Sequence, residues 1–215
     1  MIGAAAAYVS GLFFASFFFD STGILLALST VAILAIYGKI RSFKAVDLIL
    51  GVEKQGGNGS YLGGYDKPYK TFPKRLQSKI KEYCAAGGSL FISGAFIASD
   101  MAKNTEDRRF IRDILRFDYG GSVSEQNENC ISGSGLEFSF ARTVNERCYA
   151  VSRPDILVPL DDAFVSFVFN GNRESAGVAY AGNYRVISTS FPFETVSEEE
   201  QRDKLMGAVM RFLMK

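Results

Sequence analysis

A short turn in the first half of the chain carries the residue types best suited to chemistry. It follows an apolar run at residues 89–93 and contains Ser93, Gly94, Ser99 and Asp100. In open α/β sheets, ligands bind at the carboxyl ends of strands, and a nucleophile elbow places a serine or cysteine on such a sharp turn. The chain has no His to activate Ser93. We therefore expect no catalysis here and interpret Ser99 and Asp100 as a turn or capping pair.

Carboxylates at two other strand ends offer a second kind of chemistry. Gly51 and Glu53 follow an apolar run at residues 45–50, and Glu194 follows the last apolar run. The fold could bring Glu53 and Glu194 together for general acid–base work, whereas the alternative is two ordinary surface carboxylates. We predict no catalytic residue. The predicted ligand-binding set at these sheet-edge turns is Gly51, Glu53, Ser93, Gly94, Ser99, Asp100 and Glu194.

The composition excludes several classes of site. The 215 residues include no His, which removes Ser-His-Asp catalysis and His-ligated zinc. Cys84, Cys130 and Cys148 are too widely spaced for a structural zinc site. Three buried thiols are favoured, and a Cys130–Cys148 disulfide is the alternative. The net charge of +1 argues against a nucleic-acid partner. We predict no metal and no cofactor.

A glycine-rich segment, residues 55–64, invites a phosphate-binding interpretation. It lacks the Gly-Lys-Ser/Thr triplet of a P-loop, and residues 65–69 separate it from the next predicted helix. We interpret it as a loop at the rim of the domain. Tyr61, Tyr65 and Tyr69 then either pin this loop or line a ligand cleft.

Strands and helices alternate in the part of the chain that positions these residues. The predicted elements are a buried strand at 45–50, a helix at 72–86, a buried strand at 89–93 and a helix at 106–116. Thr105 is the expected N-cap of the second helix. This alternation indicates parallel pairing through crossovers. Leu90, Phe91 and Ile92 are predicted to lie in a central strand that is buried on both faces.

The second half is richer in strand patterns. Candidate strands lie at residues 136–141, 163–169, 177–181 and 184–190, and hairpin turns are predicted at residues 170–172 and 182–183. A helix with a capping box at residues 197–200 ends the chain. Its apolar stripe is formed by Leu205, Val209, Phe212 and Leu213.

The N-terminal segment differs from the rest in composition. Residues 1–38 form two uncharged runs that are separated by Asp20, and Lys39, Arg41 and Lys44 follow. Each run has about the length that a helix needs to cross a bilayer. A membrane hairpin is the favoured interpretation, with a buried strand and helix of a soluble domain, or an altered N-terminus, as alternatives. The predicted division is a hydrophobic segment at residues 1–40 and an α/β domain at residues 43–215.

Three segments resemble one protein group in the same order: residues 46–55 (VDLILGVEKQ), 87–101 (GGSLFISGAFIASDM) and 191–195 (FPFET). The group comprises Bacteroidetes cell-envelope or secreted proteins described as xanthan lyases, often with a golvesin-type carbohydrate-binding domain. The matching part resembles their flavodoxin-like domain, which is akin to class I glutamine amidotransferases. The resemblance covers residues 43–215 and implies a three-layer α/β fold with a mostly parallel sheet and helices on both faces.

The resemblance also sets the functional expectations. True amidotransferases carry a catalytic Cys where this chain has Ser93-Gly94-Ala95, so that activity is not implied. We expect a non-catalytic, amidotransferase-like module of a polysaccharide-associated envelope protein, with polysaccharide or adjacent domains as partners. The alternatives are a lyase or hydrolase that uses Tyr, Lys or carboxylates, and a membrane-anchored interaction module. The expected location is the cell envelope or outside the cell, with a membrane anchor if residues 1–38 insert.

Overall fold

The computed structural model describes residues 43–55, 70–124, 129–144 and 149–215. The expectations for residues 1–38, for most of the glycine-rich loop with its three tyrosines, and for Cys148 lie outside these residues. The strands, in chain order, are β1 (Ala45–Gly51), β2 (Ser89–Gly94), β3 (Phe117–Ser122), β4 (Cys130–Gly133), β5 (Leu136–Ser139), β6 (Asp155–Pro159), β7 (Phe164–Phe169), β8 (Ser175–Ala181) and β9 (Arg185–Thr189). The described α-helices are α1 (Lys74–Ala85), α2 (Thr105–Phe110) and α3 (Glu199–Leu213). A π-helical segment at Ile111–Leu115 continues α2, and short 3-10 helices lie at Met101–Lys103 and Phe193–Thr195.

Seven strands form one mixed sheet in the order β1-β2-β9-β8-β7-β4-β5, and β3 pairs with β6 in a separate antiparallel ribbon. In the large sheet only β1–β2 and β2–β9 pair in parallel, and the other four pairings are antiparallel. The predicted flavodoxin-like, mostly parallel three-layer fold is therefore wrong. Short turns join β4 to β5, β7 to β8 and β8 to β9, and a short turn makes its two strands antiparallel neighbours.

The helices follow the predicted positions, but their caps do not. Helix α1 begins after Pro73 and buries Gln77, Ile80, Tyr83 and Cys84. Asn104, not Thr105, caps α2: its side chain accepts a hydrogen bond from the Asp107 amide at 2.9 Å. The predicted capping box is also wrong, because Glu198 occupies the N-cap of α3 without a side-chain capping bond in the described structure.

The two faces of the sheet carry separate cores. Helices α1 and α2 pack on one face, where Leu90 and Ile92 of β2 join Val186 of β9. Helix α3 packs on the other face with the side chains of Leu205, Val209 and Leu213, and there Phe91 and Ile187 meet it. All six residues of β2 are buried, which confirms the prediction that Leu90, Phe91 and Ile92 lie in a central strand.

Strand β1 lies at the edge of the sheet. Its seven residues are all only partly buried, although most of them are apolar. The expectation of a fully buried strand is wrong because β1 pairs with β2 alone in the described structure. None of the described helices combines the length and apolar character needed to cross a bilayer.

Candidate functional site

The turn after β2 is closed around its backbone. Ser93, Ala95 and Ile97 are 0% exposed. The Ala95 amide donates to the Gly51 carbonyl at 2.8 Å, so the ends of β1 and β2 are tied together. A Cβ atom added at Gly94 would lie 3.0 Å from atoms of Leu50 and Ile97. The turn therefore has the place of a nucleophile elbow but offers no open serine.

Asp100 is an internal hydrogen-bond acceptor. Its carboxylate accepts bonds from the Gln55 amide at 3.1 Å, the Thr71 amide at 2.9 Å and the Thr71 hydroxyl at 3.1 Å. It also pairs with Lys103 at 2.9 Å. Asp100 is fully buried, so its oxygens do not face solvent. Through these bonds they join residue 55 to residue 71.

Asp155, at the start of β6, holds the same turn from its other side. Its Oδ2 accepts the backbone amides of Ala98 at 2.9 Å and Ser99 at 2.7 Å. Burial raises the pKa of this carboxyl to about 6, although the two amides and the charge of Lys54 oppose the increase. Asp155 was not predicted as a site residue, because no strand was predicted at β6. Ser99 is thus placed by its amide, as a turn residue.

The other end of this sheet edge brings two carboxyl groups together, but they are not the predicted pair. Glu194 lies in the turn after β9, and its Oε1 accepts a hydrogen bond from the Tyr149 hydroxyl. A Cβ atom added at Gly51 would lie 3.5 Å from the same oxygen. The charge of Glu194 acts on Asp47 of β1. Glu53 instead lies in an exposed turn, where its carbonyl accepts a bond from Thr71.

Asp47 is the functional candidate that the sequence analysis overlooked. Its pairing with Phe91 in the β1–β2 register places its side chain on the face that α3 covers. The available signal was an acidic residue in the middle of an otherwise apolar run. A buried carboxylate in such a run demands a reason, because an unpaired charge is costly there.

Asp47 and Glu194 line a cavity of about 510 Å³ between β1, the turn after β9 and α3. Its other lining residues are mostly apolar, with Arg202 and Asp203 contributed by α3: Ala45, Val46, Ile49, Phe91, Phe193, Arg202, Asp203, Met206, Val209, Met210 and Leu213. Neither oxygen of Asp47 has a hydrogen-bond partner among the described residues, and neither has Oε2 of Glu194.

The electrostatics of this pair follow from burial and like charge. Burial, and secondly the charge of Glu194, raise the pKa of Asp47 to about 7. Burial also raises the pKa of Glu194, against the hydrogen bond from Tyr149. A carboxyl group that stays protonated near neutral pH can donate a proton, and a charged neighbour can accept one.

The described residues contain no group of three or more His, Cys, Asp or Glu side chains arranged to hold a metal ion. The structure thus brings Gly51, Gly94 and Glu194 to one end of the sheet edge. It uses Ser93, Ser99 and Asp100 inside the fold, and it leaves Glu53 at the surface.

The comparisons with known proteins identify no family. No family model matches the chain, and no curated protein matches it. Among solved structures, the chain is distantly similar to the exo-beta-1,4-mannosidase Op5Man5 from Opitutaceae bacterium strain TAV5. The sequence identity is 11% and the TM-score is 0.42. The match covers 63% of this chain and 21% of the mannosidase chain, so the matched part spans about a fifth of the mannosidase's length.

Proposed function

We propose that this chain is a non-catalytic module of a polysaccharide-associated bacterial envelope protein, with polysaccharide or neighbouring domains as its partners. The resemblance of residues 46–55, 87–101 and 191–195 to such proteins motivates the proposal. The observation that carries it is the closed turn after β2. Ser93 and Ala95 occupy the place of the nucleophile, and both are 0% exposed.

A serine nucleophile needs a base within hydrogen-bond reach and a path for the substrate. Ser93 Oγ has no hydrogen-bond partner among the described residues. The two carboxylates that contact this turn, Asp100 and Asp155, accept bonds from backbone amides and hold the turn. These carboxylates support the shape of the turn, and neither acts on Ser93.

The test is to incubate the full chain with acidic polysaccharides and to measure both binding and turnover. We expect co-sedimentation with a polysaccharide, and no unsaturated or new reducing-end products. A heat-denatured sample serves as the control for non-specific adsorption. Sustained product formation that a substitution in residues 43–215 abolishes would overturn the non-catalytic proposal.

The Asp47–Glu194 pair favours a second candidate, a carbohydrate-active lyase or hydrolase. Both carboxyl groups have raised pKa values, and Glu194 accepts a hydrogen bond from the Tyr149 hydroxyl. Carboxyl pairs of this kind can carry out acid–base catalysis. If the assay detects turnover, Glu194→Gln should abolish it. Asp203→Asn, at the rim of the same cavity, should not. Turnover that survives Glu194→Gln would remove this candidate.

A third candidate is a membrane-anchored interaction module. Its support is the pair of uncharged runs, separated by Asp20, that make up residues 1–38. A chain that starts at Arg41 should then lose membrane association in a cell-fractionation experiment. A full-length chain that is soluble and monomeric without detergent would contradict it.

A further inference from the structure

The cavity between β1 and α3 contains two carboxyl groups and little to neutralise them. The register of β1 places Asp47 on the α3 face, beside Phe91 of β2. Glu194 reaches the same cavity from the turn after β9. Three of their four oxygens have no hydrogen-bond partner among the described residues. Each is also inaccessible to water in this conformation.

The charged and titratable groups near Asp47 come from the turn after β9 and from α3. The turn after β9 contributes Glu194, which binds the hydroxyl of Tyr149. Helix α3 contributes Arg202 and Asp203, whereas β2 contributes the ring of Phe91. The Arg202 guanidinium donates to the Val196 carbonyl at 2.6 Å, which directs it to the backbone. Burial and like charge in such surroundings both oppose ionisation of the two carboxyl groups together.

We infer that the Asp47–Glu194 pair is a pH-sensitive latch: it retains one proton while α3 covers the cavity, and loss of that proton loosens α3 from the sheet. The cavity gives the latch room to act, because water that enters it when α3 moves solvates both carboxylates. This inference goes beyond the proposed function and does not depend on whether the chain binds polysaccharide.

The direction of the pH dependence follows from linkage. Burial raises the pKa of Asp47 from the ordinary aspartate value of 3.8 to about 7 in the closed state, and contact with water in the opened state removes this cause. The closed state therefore binds more protons than the opened state between these two values. Its stabilisation is complete below the lower pKa and is lost as the pH rises through the upper one.

Hydrogen exchange of the full chain, measured by mass spectrometry at pH 5, 6 and 7, tests the latch. After correction for the intrinsic exchange rate, protection of α3 should fall by up to about tenfold per pH unit, since one proton is released on opening. Helix α1, on the opposite face, is the internal reference and should keep its protection. In Asp47→Asn the dependence of α3 on pH should disappear. Glu199→Gln, which changes an exposed carboxylate of α3 outside the cavity lining, should retain it.

Glu194→Gln is the second variant if Asp47→Asn does not fold, and it should reduce the dependence in the same way. Three results would overturn the inference. One is protection of α3 that does not change with pH in the unmodified chain. Another is an unchanged dependence in the folded Asp47→Asn or Glu194→Gln variant. The last is an equal loss of protection in α1 and α3, which would indicate global unfolding rather than a local latch.

Discussion

Replacing Asp100 with alanine tests whether the turn after β2 is held from inside the fold. Asp100 accepts the amides of Gln55 and Thr71, so one carboxylate joins two positions on either side of residues 56–69. It also binds the Thr71 hydroxyl and the Lys103 ammonium group. Alanine removes all four bonds at once and leaves their donors in place.

The expected magnitude depends on which donors can find water. The Thr71 amide is buried, and an unsatisfied buried amide costs about 1–3 kcal/mol. The Thr71 hydroxyl retains a bond to the Glu53 carbonyl at 2.9 Å. Gln55 and Lys103 are exposed, so each loses less than about 1 kcal/mol. We expect the free energy of unfolding of Asp100→Ala to fall by about 3 kcal/mol in total.

Urea denaturation measures this change. Unfolding is followed by circular dichroism rather than by tryptophan fluorescence, because the chain has no Trp. Asp113→Ala is the matched control, because Asp113 is exposed and its loss should change stability by less than about 0.5 kcal/mol. Asp100→Asn should lower the free energy of unfolding by an intermediate amount, since the side-chain NH₂ group of the asparagine would face one of the backbone N–H donors. An Asp100→Ala variant as stable as the control would refute the assignment of Asp100 as a structural acceptor.

Three further outcomes are expected. Ile92→Asp should yield no soluble, cooperatively melting domain, because an unpaired buried carboxylate costs several kcal/mol, whereas Ile92→Val should fold; a cooperative melt of Ile92→Asp would contradict the buried placement. Gly51→Ala should lower the free energy of unfolding, measured with urea, by about 2–3 kcal/mol, since Gly51 has φ +56° and an added Cβ would lie 2.9 Å from the Tyr149 hydroxyl. Gly135→Ala, with φ +75° and open space, isolates the backbone contribution, and equal losses would argue against the tyrosine contact. Asp47→Asn should be more stable than the unmodified chain above pH 7, by an amount on the order of 4 kcal/mol at most, and of equal stability below pH 4. Thermal melts across this range check it, and a constant difference at all pH values would exclude ionisation of Asp47 as the cause.

Local patterns predicted most elements of the fold. The glycine-bounded apolar run at Leu90–Ile92 buries all of its side chains only if it lies inside a sheet that is covered on both faces, and β2 is buried throughout. The apolar stripe predicted for the C-terminal helix likewise placed Leu205 and Val209 in the core. These predictions hold because burial of an apolar stripe dominates the free energy of a helix or a strand.

Strand order could not be predicted in the same way. The run at β1 looks as apolar as β2, but its burial depends on how many neighbours pair with it, and the sequence does not state this. The short turns at 170–172 and 182–183 did predict antiparallel hairpins, and these hairpins make up much of the large sheet. The alternation of strands and helices in the first half predicted parallel pairing, and β1 and β2 do pair in parallel. The resemblance implied a mostly parallel sheet, which the antiparallel strands of the second half do not form.

The site was only partly predictable for a related reason. Glu194 was placed correctly at a strand end, but its partner in the fold is Asp47, from the middle of a strand. The interaction arises because α3 covers that face and creates a shared cavity. Asp155 was not predicted because β6 lacks a strong apolar alternation. The role of Asp155 also depends on backbone amides of a turn that is distant in the sequence.

The position of β9 has a consequence for how the chain folds during its synthesis. This strand lies between β2 and β8, and the Thr189 hydroxyl contacts the carbonyl of Ile92, 97 positions earlier. Until residues 185–189 leave the ribosome, β2 and β8 each present an open, largely apolar edge. Open edges of this kind pair readily with other chains, and closing so long a loop is slow. A nascent chain that stalls before β9 should therefore aggregate or recruit chaperones, and the emergence of residues 185–189 should be the step that commits it to the native sheet.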